Sequence, residues 1–203
     1  MRNVTTLHHL LDDVTSLARL EAGREQRQIE PIDVSPIFQQ LCEGVRPLAQ
    51  QNRLFLRCEG PAGFAADGDA VKIRRIAQNL ILNAVKYTRD GGITVTWGDI
   101  GADDRKRWEL CVRDTGPGIH SGSVKPLAEA LVNASEDTAG VQLSHPPVEQ
   151  RAAAGAAREE SGEGIGLSIV KRLCELLDAT IELKSEKDVG TTFRILFPRH
   201  YST

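Results

Sequence analysis

At 203 residues, with 26% charged and 40% hydrophobic side chains and a net charge of -3, the chain can bury one ordinary domain plus an appendage, and no basic excess points to nucleic acid. Its apolar runs are far shorter than the roughly 20 residues that cross a bilayer, and the N-terminus carries no export signal, so a cytoplasmic location without membrane contact from this segment is expected. Cys42, Cys58, Cys111 and Cys174 form no CxxC pair and have no His-rich neighbourhood; the expectation is buried free thiols, with neither a zinc site nor a disulfide framework.

Residues 2–22 read as a helix, because Val4, Leu7, Leu11, Val14 and Ala18 recur at steps of three and four and Gly23 stops the pattern. A lone stripe of this kind needs a cover, from another helix or from a second copy of the chain. The polar stretch REQRQIEPI then leads to Asp33, which predicts an N-cap for a helix over 34–51. RLFLRCE alternates as a half-buried strand does, and GFAADGD closes a second short strand at acidic residues. A helix begins near Asp69, with Ile73, Ile76, Ala77, Leu80, Ile81 and Ala84 on one face and Asn79, Asn83 and Lys86 on the other. After the turn RDGG, ITVTWG and RWELCVRD read as strands, the second ending in a Gly-Pro-Gly turn. A polar, Ala-rich connection over about 120–161 reads as a lid, with VKPLAEALVNA a possible short helix inside it. A helix over 164–177 and the strands TIELKS and TTFRILFP complete the chain. This order predicts an α+β fold: a two-layer sandwich whose mixed, largely antiparallel sheet is covered on one face by three helices.

Three segments carry candidate chemistry. Asn79 and Asn83 lie one helical turn apart, with Lys86 and Tyr87 three and four residues beyond Asn83, so the four form a polar wall. Asn is a poor helix former, and two of them at interior positions argue against a merely solvated face. An amide oxygen suits magnesium, which takes few protein ligands beside nucleotide phosphates; Lys86 offers charge to phosphate and Tyr87 a ring and a hydroxyl. In DTGPGI, Asp114 closes a strand and Gly116 and Gly118 leave room for a flat ligand. A carboxylate there can accept from an exocyclic amino group and so select adenine over guanine. In GEGIGL, Gly162, Gly164 and Gly166 stand at a helix start, where unpaired N–H groups favour phosphate. Neither a GxGxxG nor a GxxxxGK[ST] spacing is present.

Taken in order, NLILNAVKYT, DTGPGI and GEGIGLSIVKRL resemble the N, G1 and G2 boxes of the histidine-kinase ATPase domain, whose fold is shared with gyrase, Hsp90 and MutL. GTTFRILFP is similar to its closing strand, so the resemblance spans about 34–198, and VTSLARLEAGR resembles the end of the second helix of the kinase dimerisation hairpin. The resemblance implies two parts: 1–30, a partial dimerisation helix and linker, and 31–203, an ATP-binding catalytic domain. It implies ATP and Mg2+ as cofactors and Asn83 as the magnesium ligand. Asn79 would be a phosphate or metal-shell contact, Lys86 and Tyr87 nucleotide contacts, and Asp114 the adenine acceptor. Gly116, Gly118, Ile119, Gly162, Gly164, Gly166 and Leu167 would line the nucleotide, and the Thr191 hydroxyl would support the adenine pocket. A phosphoacceptor histidine helix and a response regulator are the implied partners, with a possible homodimer through the N-terminal helix.

Two departures from that family stand out. No histidine followed by an acidic residue occurs on the N-terminal helix; His8 and His9 precede Leu10 and Leu11 and read as solvated or interface side chains. The stretch from His120 to Ser161 contains no Phe, so the lid is atypical, and Lys125, Arg151 and Arg158 read as solvated loop charges. Asn79 occupies the place where hydrolysing relatives carry a glutamate that activates water, and an amide cannot be that base. The leading reading is therefore a phosphoryl-donating kinase module that lacks its own acceptor. The alternative is a non-catalytic nucleotide-binding pseudokinase or partner-docking module, and an ATP-hydrolysing machine is disfavoured by Asn79.

Overall fold

The computed structural model describes residue 22 and residues 25–101, 106–118 and 165–201. The expected N-terminal helix, the lid with its possible short helix, His8, His9, Lys125, Arg151, Arg158, Ile119, Gly162 and Gly164 lie outside the described residues.

The elements run β1 (Glu30–Asp33), α1 (Val34–Gln51), β2 (Phe55–Glu59), β3 (Ala65–Gly68), α2 (Ala70–Tyr87), β4 (Gly92–Asp99), β5 (Arg107–Asp114), α3 (Ile165–Leu176), β6 (Thr180–Glu186) and β7 (Gly190–Pro198). Both long helices begin where a side chain can serve their unpaired N–H groups. Asp33 accepts from Ser35 N at 3.0 Å and Asp69 from Lys72 N at 3.1 Å, each cap contributing about 1 kcal/mol.

A five-stranded sheet has the order β2-β4-β5-β7-β6, and β1 and β3 make a separate two-stranded ribbon. Every neighbouring pair is antiparallel except β2 with β4, so the sheet is mixed and largely antiparallel as expected. The β2–β4 pair can be parallel because α2 lies between them in sequence and supplies the crossover.

The core fills the space between sheet and helices. Trp108 is fully buried, stacked on Phe197 at 4.5 Å between ring centroids and flanked by Phe64 and Phe38. Phe38 comes from α1, Ile76, Leu80 and Ile81 from α2, and Ile169 and Leu173 from α3, all buried in one cluster with apolar side chains of β4, β5 and β7. Alternation along β5 puts Trp108, Leu110 and Val112 on that face; Asp114, next in the period, ends the row where the sheet emerges from its helical cover.

Two expectations are corrected. The stretch ending REQRQIEPI is not simply a polar lead-in, since its last residues form β1, with Ile32 opposite Ala66. Four residues containing Pro31 are too short to show a strand period, and the pairing depends on β3, more than 30 residues away in the chain. The four cysteines are not all free. Cys42 of α1 and Cys58 of β2 are joined in a disulfide across 16 residues of chain, with Cα atoms 6.6 Å apart, and only Cys111 and Cys174 remain as thiols. Helix-on-strand packing makes this neighbourhood, which no local spacing announces.

Candidate nucleotide site

The described parts of the three candidate segments meet at one end of the sandwich. Asn79 and Asn83 lie half-buried on the side of α2 that faces the start of α3. Asn79 Nδ2 donates to Arg75 O at 2.9 Å, which orients the amide and turns its Oδ1 toward α3. Gly166 sits opposite: a Cβ at Gly166 would lie 2.9 Å from Asn79 Oδ1 and 3.8 Å from Asn83 Nδ2. Glycine is thus what allows the start of α3 to press against the two asparagines, leaving an amide oxygen beside the backbone of that helix. Leu167, the following residue, is half-buried and packs on the core.

Asp114 occupies the adjoining corner. Its Oδ1 accepts from Gly116 N at 2.9 Å and from Thr191 N at 3.2 Å, so one oxygen is held by the turn after β5 and by the opening of β7. Among the described residues no hydrogen bond is formed to Oδ2. Burial pushes the Asp114 carboxyl above its ordinary range, and the N–H groups of Gly116 and Thr191 offset only part of that. Gly190 has φ +133, and a Cβ there would fall 2.0 Å from the Asp114 carbonyl oxygen, so the opening of β7 approaches Asp114 as closely as backbone can. Gly116 is buried beside Asp114 and the Tyr87 carbonyl, and the backbone after it is tied to the β6–β7 turn by Asp188 N donating to Pro117 O at 2.9 Å. Gly118 borders the same turn at Glu186 and Lys187.

Thr191 is 6% exposed, and its Oγ1 lies 3.0 Å from Ser185 Oγ. Tyr87 and Lys86 are exposed at the end of α2, with Lys86 Nζ donating to Tyr87 OH at 3.0 Å over the Tyr87 ring. Lys86 also borders a groove of about 560 Å³ shared with Leu48 of α1 and Asn52, the residue that caps its end, so it stands at the rim between that groove and the asparagine side of α2.

Sequence reasoning misses two residues of this corner. Thr115 Oγ1 accepts from Gly92 N at 3.0 Å and donates to Asp90 O at 2.9 Å, which fastens the Asp114 loop to the turn following α2. Ser185 touches Thr191 only through the β6–β7 register, although the alternation in TIELKS already places it on the face of Ile181 and Leu183.

Residues 68–201 match the family described as histidine kinase-, DNA gyrase B- and HSP90-like ATPase. The chain belongs to this family. It is 29% identical over 191 residues to the autoinducer 2 sensor kinase/phosphatase LuxQ of Vibrio cholerae, covering 93% of this chain and 20% of that protein. It is 28% identical over 193 residues to the sensor histidine kinase RcsC of Escherichia coli K12, covering 93% of this chain and 18% of that protein. The chain therefore spans about a fifth of the length of these curated relatives. Among solved structures it resembles full-length ShkA in complex with AMPPNP, with a TM-score of 0.70 and 25% identity, covering 97% of this chain and 37% of that one. The Acinetobacter baumannii histidine kinase AdeS shares the fold, with a TM-score of 0.69 at 18% identity over 98% of this chain and 82% of that one. The α+β sandwich and the ATP-binding catalytic domain of histidine-kinase type are thus established for this chain, as the ordered N, G1 and G2 boxes imply.

Proposed function

We propose that the chain binds Mg-ATP at the corner between α2, the Asp114 loop and the start of α3, and donates the γ-phosphoryl to a histidine on a helix supplied elsewhere. The observation that carries this reading is the juxtaposition of Asn79 Oδ1 with Gly166 beside an Asp114 whose Oδ1 is already committed to backbone. One corner thereby offers a hard amide oxygen for the phosphate end of a nucleotide and a carboxylate oxygen for the base end.

In this reading Asp114 Oδ2 accepts from the adenine amino group, and the Thr191 hydroxyl closes the base pocket. Gly116, Gly118, Ile119 and Leu167 line the nucleotide. Backbone N–H groups of Gly162, Gly164 and Gly166 receive phosphate, and Lys86 and Tyr87 guard the rim. Asn83 is the protein ligand for magnesium, with Asn79 in its outer shell; among the described residues no group of three His, Cys, Asp or Glu gathers, so the donor set suits a cation that takes phosphate and water oxygens for most of its sphere. Magnesium, when bound, supplies neutralisation of charge on the phosphates. Asn79 can orient a water by hydrogen bonds but cannot take its proton, which keeps hydrolysis slow. The acceptor nitrogen attacks phosphorus in line, an N–P bond forms, and the bond to the ADP oxygen breaks.

The chain is proposed to comprise residues 1–30, the end of a dimerisation hairpin with its linker, and 31–203, the catalytic domain with a lid near 120–161. The relatives' names support a two-component sensor kinase as the parent, acting with a phosphoacceptor helix and a response regulator, with pairing of two chains through the N-terminal helix. No helix among the described residues is long and apolar enough to cross a membrane, which suits a catalytic module working in the cytoplasm.

The test is to incubate the chain with labelled Mg-ATP, with and without a separately made acceptor helix, and to follow acid-labile, base-stable phosphate. Transfer only when the helix is present is expected, and Asn83→Ala should abolish the magnesium dependence of ATP affinity. Tight binding with no transfer would favour the non-catalytic alternative, and unchanged affinity in Asn83→Ala would refute the metal assignment.

A further inference from the structure

We propose that Thr115 is a positioning residue for the base end of the nucleotide, its hydroxyl setting where the Asp114 carboxylate stands; this rests on the nucleotide reading above. Asp114 is the last residue of β5, paired with Ile93, and one more step of the antiparallel ladder would set Thr115 opposite Gly92. Such a step exchanges two main-chain bonds. One of them is present, with Thr115 N donating to Gly92 O at 3.2 Å. In the other the acceptor is a side chain: Gly92 N donates at 3.0 Å to Thr115 Oγ1, the role a continuing strand would give to the Thr115 carbonyl. The hydroxyl thus keeps the end of β5 tied to β4 while the backbone turns away toward Gly116.

The hydroxyl proton goes to a carbonyl, Asp90 O at 2.9 Å, with Gly92 O beside it at 3.4 Å. The turn that receives it is itself fixed. Gly91 O accepts from Phe55 N at 3.0 Å, and a Cβ on Gly91 would lie 2.2 Å from Thr115 Oγ1, so the turn is closed against the hydroxyl. On the other side of Thr115 stands Gly116, whose N–H holds Asp114 Oδ1 at 2.9 Å. A residue anchored by its side chain to the turn following α2 therefore stands between the carboxylate and one of the two donors that orient it. Displacing Thr115 moves Gly116 N, whereas Thr191 N, the second donor, belongs to β7 and stays. The carboxylate then swings about Thr191 N, and Oδ2 leaves the line on which an adenine amino group would meet it.

Thr115→Val keeps the volume but sets a methyl against Gly92 N and Asp90 O, which now lie at 3.0 and 2.9 Å, nearer than the roughly 3.5–4.0 Å that carbon contacts prefer. Thr115 is exposed, so the fold should tolerate the change, with a thermal midpoint within about 4 °C of wild type. Calorimetric titration with Mg-ATP and Mg-ITP, which carry a 6-amino and a 6-oxo base edge, separates positioning of Asp114 from general loosening. Wild type should prefer ATP. Thr115→Val should lose about fivefold in ATP affinity, the scale of one hydrogen bond, and less than about twofold in ITP affinity, because an oxo group gains nothing from Oδ2. Thr115→Ser, which keeps the hydroxyl, should restore the ATP value. Unchanged ATP affinity, equal losses for the two nucleotides, or no rescue by serine would overturn the proposal. If thermal unfolding shows that Thr115→Val does not fold, Thr115→Ala, which removes the hydroxyl without crowding the turn, carries the same expectations; if neither folds, Thr115 is structural and the proposal fails. A wild-type chain that binds neither nucleotide, or both equally, would overturn the Asp114 reading itself, a result distinct from failure of Thr115.

Discussion

Asp69, buried, and Asp114, half-buried, show how local partners decide the state of one residue type. Asp69 caps α2, and although burial alone would push its carboxyl up, the Lys72 ammonium at 2.8 Å and the N–H groups of Gln28 and Lys72 bring it below the ordinary range. Among the described residues Asp114 receives two N–H groups and no cation, and burial wins. A carboxyl whose folded value is raised contributes stability below its unfolded value, near 3.8, and loses that contribution as pH rises through the folded value. Ionising Asp114 is therefore a cost to the fold, which the proposed adenine contact would account for. Asp114→Asn should raise the thermal midpoint at neutral pH by about 2 °C or more while weakening ATP binding at least about tenfold, as read by scanning and titration calorimetry. Lowering pH should weaken wild-type ATP binding from above the usual carboxylate range, and the Asn variant should lack that step. A variant less stable than wild type at neutral pH would contradict this account.

At the scale of elements, the site is made by an approach of two helices that glycine permits. In a helix Ala is favoured over Gly by roughly 0.5–1 kcal/mol, so propensity alone makes Gly166→Ala neutral or stabilising. The added Cβ, however, would meet Asn79 Oδ1 at 2.9 Å and push the amide from its position. The expected result is unchanged or higher resistance to urea together with a loss of ATP affinity of about tenfold; a variant that binds ATP normally would show that the contact between α3 and Asn79 plays no part in binding. The period of α2, its cap at Asp69 and the asparagine side of the helix are all legible in the sequence, because each is decided within about four residues. The partner of that asparagine side is not, since Gly166 lies more than 80 residues further on and nothing near Asn79 specifies it. The same holds for Ser185, whose period is readable but whose neighbour Thr191 is set by hairpin register.

For the molecule as a whole, the strap before β1 is bound into the domain. Gln28 N reaches Asp69 Oδ2 at 2.9 Å, Arg27 pairs with Asp178 and lies over the Tyr201 ring, and Tyr201 OH donates to Leu177 O at 2.6 Å. The chain's first described segment, the end of α3 and the chain's last described residue are thus held together, with burial pushing the Tyr201 phenol up to about 12. The Cys42–Cys58 link adds a covalent tie between α1 and β2 over 16 residues, and closing such a loop in the unfolded chain stabilises by about 3 kcal/mol in the chain-entropy account. Reduction should therefore lower the urea midpoint, while thiol titration of the unfolded, unreduced chain should find two thiols, Cys111 and Cys174. Four thiols would mean that the pair is open. Cytoplasmic glutathione and thioredoxin pull toward that dithiol, so the same titration on freshly isolated protein bears on the compartment as well.

The sequence by itself determined the class of fold, the bounds of α1, the start of α2, the N-caps of both and the three ordered segments by which the family is recognised, because periodicity, capping and glycine placement act over a few residues. Tertiary structure alone decided that Asn79 meets Gly166, that Thr191 and Gly116 hold one oxygen of Asp114, that Cys42 reaches Cys58, and that Glu30–Asp33 is a strand. Each of these joins residues that are adjacent only after the sheet has set its strand order and the helices have settled on it, or, for Gly116, only in the turn that the sheet holds. The disulfide was hidden for the same reason that the site was only partly visible: residues far apart in the chain carry no mark of the neighbour that folding will give them.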